Sequence, residues 1–88
     1  MTWSVELARS AIRDLDRMPP RIAPAVVEFI YGPLAENPRR VGKPLRDEFA
    51  GLWSARRGAY RVLYELEDAT IRIVVIRIAH RAHAYKQR

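Results

Sequence analysis

The sequence of 88 residues predicts an α+β fold in which a two-helix antiparallel hairpin packs on a mostly antiparallel four-stranded sheet. Three observations predict it. Apolar residues recur at helical spacing in the first half, strand-like alternation and β-branched runs fill the second half, and prolines and glycines separate the segments. The expected order is β-α-α-β-β-β, followed by a short helical tail, in one domain spanning residues 1–88.

The first 37 residues are predicted to form a short strand and the helical hairpin. The strand is indicated by three apolar residues that alternate with polar ones: Trp3, Val5 and Leu7. The first helix has one apolar face, with spacings of three and four: Ala8, Ala11, Ile12, Leu15 and Met18. Pro19 and Pro20 end this helix. The second helix has its own apolar face: Ile22, Val26, Phe29 and Ile30. Gly32 and Pro33 are expected to stop or kink it.

The second half is predicted to contain a loop and three strands. Residues 38–51 have no clean period and carry four basic side chains, which favours a long irregular loop of the kind that is often functional. Residues 52–57 and 60–66 are predicted strands joined by a glycine turn. Residues 71–79 are largely apolar and β-branched, which suits a central strand buried on both faces. Residues 80–88 are expected to form one or two helical turns.

The net charge of +6 lies entirely in the second half of the chain. Residues 1–38 contain four basic and five acidic side chains, whereas residues 39–88 contain twelve basic and five acidic ones. Fourteen of the sixteen basic residues are arginine, whose planar guanidinium forms forked contacts with phosphate and stacks on bases. A GC-rich genome also favours arginine over lysine, but it does not explain the segregation of charge. This segregation favours a polyanionic partner such as RNA.

Several functional classes are excluded or disfavoured by the composition. The chain has no cysteine, which excludes disulfides, a thiolate nucleophile and cysteine-based zinc sites. Its two histidines, His80 and His83, are too few to hold a transition metal alone. No apolar run is long enough to span a bilayer, and the N-terminus lacks the features of a signal peptide. We therefore expect a soluble cytosolic protein without metal, cofactor or membrane partner.

Three segments of the chain resemble the RelE/ParE superfamily of bacterial toxins. The sequence GLWSARRGAYRVLY at residues 51–64 is similar to the strand-turn-strand signature of the superfamily. GKPLR at residues 42–46 is similar to the loop that precedes it, and AHRAHAY at residues 79–85 to a His-Arg-x-x-x-Tyr ending. The resemblance covers essentially the whole chain, and the combination of segments in this order is specific.

The resemblance implies a RelE-like fold and the toxin of a type II toxin-antitoxin system. RelE-type members cleave mRNA in the ribosomal A site without metal, by attack of the ribose 2′-hydroxyl on the adjacent phosphate. A cognate antitoxin encoded nearby holds them inactive in a hetero-oligomeric complex. The implied partners are thus the antitoxin, the ribosome and mRNA.

The resemblance also assigns roles to individual residues. Arg61 matches the strand arginine that contacts the reacting phosphate. Arg81 matches the arginine of phosphate stabilisation or leaving-group protonation, and Tyr85 matches the terminal tyrosine, a candidate base or stacking platform. His80 is a further catalytic candidate, because imidazole titrates near neutrality. Contacts with RNA are expected from five other residues: Lys43, Arg46, Arg56, Arg57 and His83.

The sequence departs from the superfamily pattern in ways that leave alternatives open. Leu52 and Ser54 stand where better-studied active members carry lysines, and the loop offers no glutamate as base, so the general acid and base are not assigned. One alternative is a ParE-like poison of DNA gyrase. Another is a degenerate member that binds RNA or ribosomes without cleavage. Arg56 and Arg57 could also be solvated charges that flank a turn.

Overall fold

The structure, a computed structural model, describes residues 2–82, which form five strands and three α-helices. In chain order the elements are β1 (Ser4–Leu7), α1 (Arg9–Asp16), α2 (Ala23–Phe29), α3 (Pro38–Val41), β2 (Lys43–Pro44), β3 (Trp53–Arg57), β4 (Tyr60–Glu67) and β5 (Arg72–His80). The predicted α+β class is confirmed. The predicted helical tail falls largely on residues 83–88, which lie outside the described residues; His80 itself ends β5.

The sheet has the order β1-β5-β4-β3-β2. The β1–β5 pair is parallel, and the other three pairs are antiparallel, so the predicted mostly antiparallel character is confirmed. The predicted count of four strands is wrong by one, because β2 lies within the segment predicted to be an irregular loop, residues 38–51. A strand of only two residues, one of them Pro44, has no detectable alternation, and its pairing with β3 alone defines it.

The helices pack on one face of the sheet and bury it. Residues from α1, α2 and the following turn meet residues from the three long strands in a core cluster: Ala11, Val26, Ile30, Leu34, Ala55, Val62, Tyr64, Ile73, Val75 and Ile78. Most of these residues are completely buried. Because the core draws on one face of β3 and β4, their alternate side chains point to the opposite face.

The second helix does not stop at Gly32 and Pro33; of the two expected outcomes, a stop or a kink, the structure has a local disruption through which the helix continues. Ile30–Leu34 forms a π-helical turn, and residues 35 and 36 are helical again. Proline cannot donate the backbone bond of a regular helix, and its ring clashes with the carbonyl four residues earlier. The wider π turn accommodates the missing hydrogen bond. Its first and last residues, Ile30 and Leu34, remain in the core.

Helix α1 caps the edge of β5 that β1 leaves uncovered. The β1–β5 pairing ends at Leu7 and Val75, yet β5 continues for five more residues. The Ser10 hydroxyl donates to the Ile76 carbonyl at 2.6 Å, and the Asp14 carboxylate accepts from the Ile78 backbone N–H at 2.8 Å. Side chains of α1 thus replace strand partners that the short β1 does not provide.

The predicted irregular loop at residues 38–51 contains regular structure. The Asn37 side chain accepts a hydrogen bond from the Arg40 backbone N–H, and Pro38 occupies the first turn, which starts α3. After β2, Asp47–Phe49 forms a single 3-10 turn. These elements could not be predicted from periodicity, because each helix or turn is too short to show a period and prolines and glycines interrupt the segment.

Tyr64 anchors this segment to the core. Its ring is completely buried, and its hydroxyl donates to the Pro38 carbonyl at 2.7 Å. Burial raises the pKa of this hydroxyl above its ordinary value, so it is a neutral donor. A Cβ at Gly42 would overlap the same hydroxyl, which explains why the chain carries glycine there. The start of α3 and the residue before β2 are therefore both held against β4.

We predict that Tyr64→Phe lowers the free energy of unfolding by about 1–3 kcal/mol, because the Pro38 carbonyl loses its buried donor. Chemical denaturation of both proteins measures the change. Tyr31→Phe is the matched control, since Tyr31 is 51% exposed, and it should change stability by less than about 0.5 kcal/mol. Equal stabilities of Tyr64→Phe and the parent would contradict the anchoring role.

We predict that Asp14→Ala is also destabilising, by about 1–3 kcal/mol, because the Ile78 N–H at the strand edge loses its acceptor. The carboxylate also accepts from Arg77 Nε at 2.8 Å, and this hydrogen bond raises the pKa of Arg77. Hydrogen exchange at the Ile78 amide provides a local readout and should become faster. Asp16→Ala, on the exposed side of the same helix, should leave that exchange rate unchanged.

Candidate nucleic-acid interface

The alternation of side chains divides the charged residues of the β3–β4 hairpin between two faces. Arg56 lies opposite Arg61, which in turn lies opposite Ala79 of β5. The neighbouring row, Ala55, Val62 and Ile78, belongs to the core. Arg56 and Arg61 therefore lie on the face away from the helices, which we call the open face.

Strand β2 adds a third cation to this face. Lys43 lies opposite Ser54, and Ser54 lies opposite Leu63, two residues after Arg61 on β4. Lys43, Ser54 and Arg61 thus share the open face. Its cationic part forms a concave pocket of about 380 Å³, lined by Val41, Lys43, Ser54, Arg56 and Arg61.

The lining of this pocket suits a phosphodiester. Three of its five residues are cationic, and among residues 2–82 no carboxylate belongs to the lining. Lys43 of β2 and Arg56 of β3 are exposed, whereas Arg61 of β4, on the far side of Arg56 from Lys43, is half-buried in the floor of the pocket. Partial burial lowers the local dielectric and strengthens the attraction of Arg61 for an anion. Guanidinium groups bind phosphate oxygens through two parallel N–H groups, and an ammonium adds a point charge.

Arg81 lies in the turn that directly follows β5. Its backbone N–H donates to the Ala59 carbonyl at 2.7 Å, which ties this turn to the residue before β4. Its side chain is exposed and does not line the pocket in the described part of the chain. Three predicted residues, Lys43, Arg56 and Arg61, are therefore brought to one surface.

His80 and Arg57 lie on the other face, although the sequence grouped them with these cations. His80 is opposite Tyr60, whose ring it meets edge-on at 5.6 Å, and its Nδ1 accepts from the Ala82 backbone N–H at 3.2 Å. Arg57 is also opposite Tyr60, and it borders two cavities next to α2. Adjacent strand residues point to opposite faces, so Arg56 and Arg57 cannot act together in one pocket.

The remaining predicted residues do not join the pocket in the described part of the chain. Arg46 is exposed, immediately before the 3-10 turn that contains Asp47 and Glu48, and it is absent from the pocket lining. His83 and Tyr85 lie outside the described residues. Sequence reasoning missed Val41 and Ser54 as lining residues; the β2–β3 pairing places Ser54 opposite Lys43, and Val41 ends the helix that precedes β2.

The described residues contain neither a cluster of metal ligands nor a membrane-spanning helix. Within residues 2–82, no group of three or more histidine, aspartate or glutamate side chains is placed to hold a metal ion. Over the same range, no helix is both long and apolar enough to cross a membrane.

Comparison with known proteins identifies relatives that are described as toxins. Residues 5–85 match the family described as the ParE toxin of type II toxin-antitoxin system, parDE. The chain is 51% identical to Toxin RelG of Mycobacterium tuberculosis (strain ATCC 25618 / H37Rv), covering 99% of this chain and 100% of that protein. It is 50% identical to Toxin RelE of the same strain, covering 96% of this chain and 87% of that protein.

Solved structures agree with these relatives. The toxin-antitoxin complex RelBE2 from Mycobacterium tuberculosis contains a chain that superposes with a TM-score of 0.89 at 50% identity, covering 91% of this chain and 99% of that one. The E. coli RelBE toxin-antitoxin complex superposes with a TM-score of 0.73 at 16% identity, covering 98% and 99%, which shows a shared fold. The chain therefore belongs to the RelE/ParE superfamily of type II toxins, in the family described as the ParE toxin of type II toxin-antitoxin systems.

Proposed function

We propose that this toxin is a ribosome-dependent mRNA endoribonuclease that inhibits translation. The observation that carries the proposal is the convergence of Lys43, Arg56 and Arg61 on one concave pocket without a carboxylate in its lining. Relatives of about half-identical sequence are named as Rel toxins, which supports the RNA-cleaving branch of the superfamily.

The proposed reaction is an internal transfer at one phosphodiester. The ribose 2′-oxygen loses its proton and forms a bond to the adjacent phosphorus. The bond from phosphorus to the 5′-oxygen breaks, and that oxygen takes up a proton. The products are a 2′,3′-cyclic phosphate and a free 5′-hydroxyl. Negative charge grows on the non-bridging oxygens in the transition state, and cations held in place before the reaction stabilise it.

The open face suggests how the roles are divided. Arg61, half-buried in the floor, is the residue for the reacting phosphate, while Lys43 and Arg56 are available for that phosphate and its neighbours. Arg81 and Tyr85 keep the roles that the family resemblance implies: Arg81 in phosphate stabilisation or leaving-group protonation, and Tyr85 as a base or a stacking platform. Lys43 lies opposite Ser54, one of the two positions where the superfamily lysines are missing, so a cation is still available there.

We further propose that a cognate antitoxin inactivates this protein in a hetero-oligomeric complex. The related Mycobacterium tuberculosis and E. coli proteins were solved as toxin-antitoxin complexes, which supports such a partner. An antitoxin that covers the open face would place carboxylates against Lys43, Arg56 and Arg61, because complementary charge accelerates association and orients the partner.

The ParE-like alternative has one observation in its favour, since the matching family is described by the parDE system. A gyrase poison needs no RNA-cleaving pocket.

Primer extension on mRNA from arrested cells separates the two functions. Cuts within reading frames support the endoribonuclease, whereas intact mRNA together with double-strand DNA breaks would support the gyrase poison. RNA binding with neither cleavage nor growth arrest would indicate a degenerate member.

We predict that Arg61→Ala reduces mRNA cleavage in a reconstituted ribosome reaction by at least about 100-fold, because the phosphorane loses its best-placed counter-charge. The cleaved fraction over time is measured by primer extension. Arg9→Ala, an exposed arginine of α1, is the control and should cleave at the parental rate. Full activity of Arg61→Ala would refute the assigned pocket. Arg81→Ala and Tyr85→Phe test the two roles taken from the resemblance.

We predict that the neighbouring arginines Arg56 and Arg57 differ in their effect on RNA binding. Arg56→Ala should weaken binding of a fluorescein-labelled single-stranded RNA and reduce the salt slope by about 1, as expected for one lost phosphate contact. Arg57→Ala removes the same charge from the opposite face and should leave the slope unchanged. Equal effects of the two substitutions would show that net charge, rather than the open face, governs binding.

A further inference from the structure

Arg39 of α3 lies between the two tryptophans of the chain. Its guanidinium carbon is 5.5 Å from the Trp3 ring centroid and 5.9 Å from the Trp53 ring centroid. Its Nη2 donates to Asp68 Oδ1 at 2.6 Å. A planar guanidinium stacks on aromatic faces while its N–H groups bind a carboxylate, and this combination of contacts is available to arginine but not to lysine.

These contacts connect segments that are distant in sequence. Trp3 precedes β1, Trp53 begins β3, and Asp68 lies in the turn after β4. The ion pair itself is well exposed, with side-chain exposures of 48% and 68%, so it adds little stability alone. The two ring contacts add a further restraint, because the face of an aromatic ring attracts a cation.

Helix α3 needs such a restraint because it has only four residues and cannot be stable alone. Tyr64 holds its first residue, Pro38. Val41 ends the helix, Gly42 packs against Tyr64 and the Ser54 carbonyl, and Lys43 follows directly in β2. Val41 and Lys43 both line the cationic pocket, so a displacement of α3 would move Val41 and strain the β2–β3 pairing that presents Lys43.

We propose that Arg39 is a positioning residue for RNA binding, which acts by holding α3 so that Lys43 faces the pocket. The proposal rests on the proposed function, because it assumes that the pocket binds RNA. Arg39 does not line that pocket. Its contribution to RNA binding therefore passes through Lys43 rather than through a phosphate contact of its own.

A double-mutant cycle between Arg39 and Lys43 tests the proposal. Binding of a fluorescein-labelled single-stranded RNA is measured by anisotropy, at a temperature where circular dichroism shows every variant to be folded. Lys43→Ala and Arg39→Met should each weaken binding by roughly three- to tenfold. In the Lys43→Ala background, Arg39→Met should add less than about 1.5-fold, because the residue through which it acts is gone. Additive losses would overturn the proposal.

Two matched variants complete the experiment. Arg40→Met removes the neighbouring charge from the same exposed side of the chain, without the contacts to Trp3, Trp53 and Asp68, and should bind RNA like the parent. Arg39→Lys keeps the charge but loses the planar stack, and should still weaken binding. Parental affinity of Arg39→Lys would show that charge alone matters and would overturn the positioning role.

Failure of the underlying function has a different signature. If Lys43→Ala binds RNA as tightly as the parent, the pocket assignment itself is wrong. If Lys43→Ala weakens binding but Arg39→Met does not, the pocket stands and only the positioning role fails. Tryptophan emission checks the local change independently, since Arg39→Met removes a cation that lies over both indole rings.

Discussion

Burial of one face of the sheet is the constraint on which the rest of the structure depends. Val62 and Tyr64 of β4 are completely buried beneath the helices, and Arg61 directly precedes Val62 on the same strand, so that its side chain points to the opposite face. A slip of one residue in the register would move Arg61 into the core and expose both apolar side chains. Hydrophobic packing on one face thereby determines which cations occupy the other. The cationic character of the open face is a consequence of how the core is built.

The segment between α2 and β3 completes the pocket. Although it is rich in proline and glycine, side-chain contacts with the rest of the protein hold it in place. Tyr64 holds the start of α3 through a buried hydrogen bond, and the Arg39 stack holds its middle. Lys43 then reaches the open face through a strand of only two residues. The ring of Tyr64 packs in the core, and its hydroxyl holds the start of the segment that lines the pocket. Stability and the proposed RNA binding are therefore coupled in this molecule.

Much of the fold could be predicted because its signals are local. The apolar faces of α1 and α2 and the alternation along β4 lie within short windows of sequence, and they indicated the right elements in the right order. The failures were also physical. Helix α3 has four residues and β2 has two, and both are too short to show any periodicity. At the site, a cluster of cations was predictable, but its division between two faces separates Arg57 and His80 from Arg56 and Arg61.

By itself, the sequence determined the order of the first two helices and of four of the five strands, the concentration of positive charge in the second half, and the motifs that connect the chain to a toxin superfamily. Only the tertiary structure decided that Lys43 lies opposite Ser54, that Arg39 lies between Trp3 and Trp53, and that side chains of α1 cap the edge of β5. The reason is that propensity and periodicity act over a few neighbouring residues. Strand pairing and side-chain stacking join residues far apart in the chain, and their partners are selected only when the core packs.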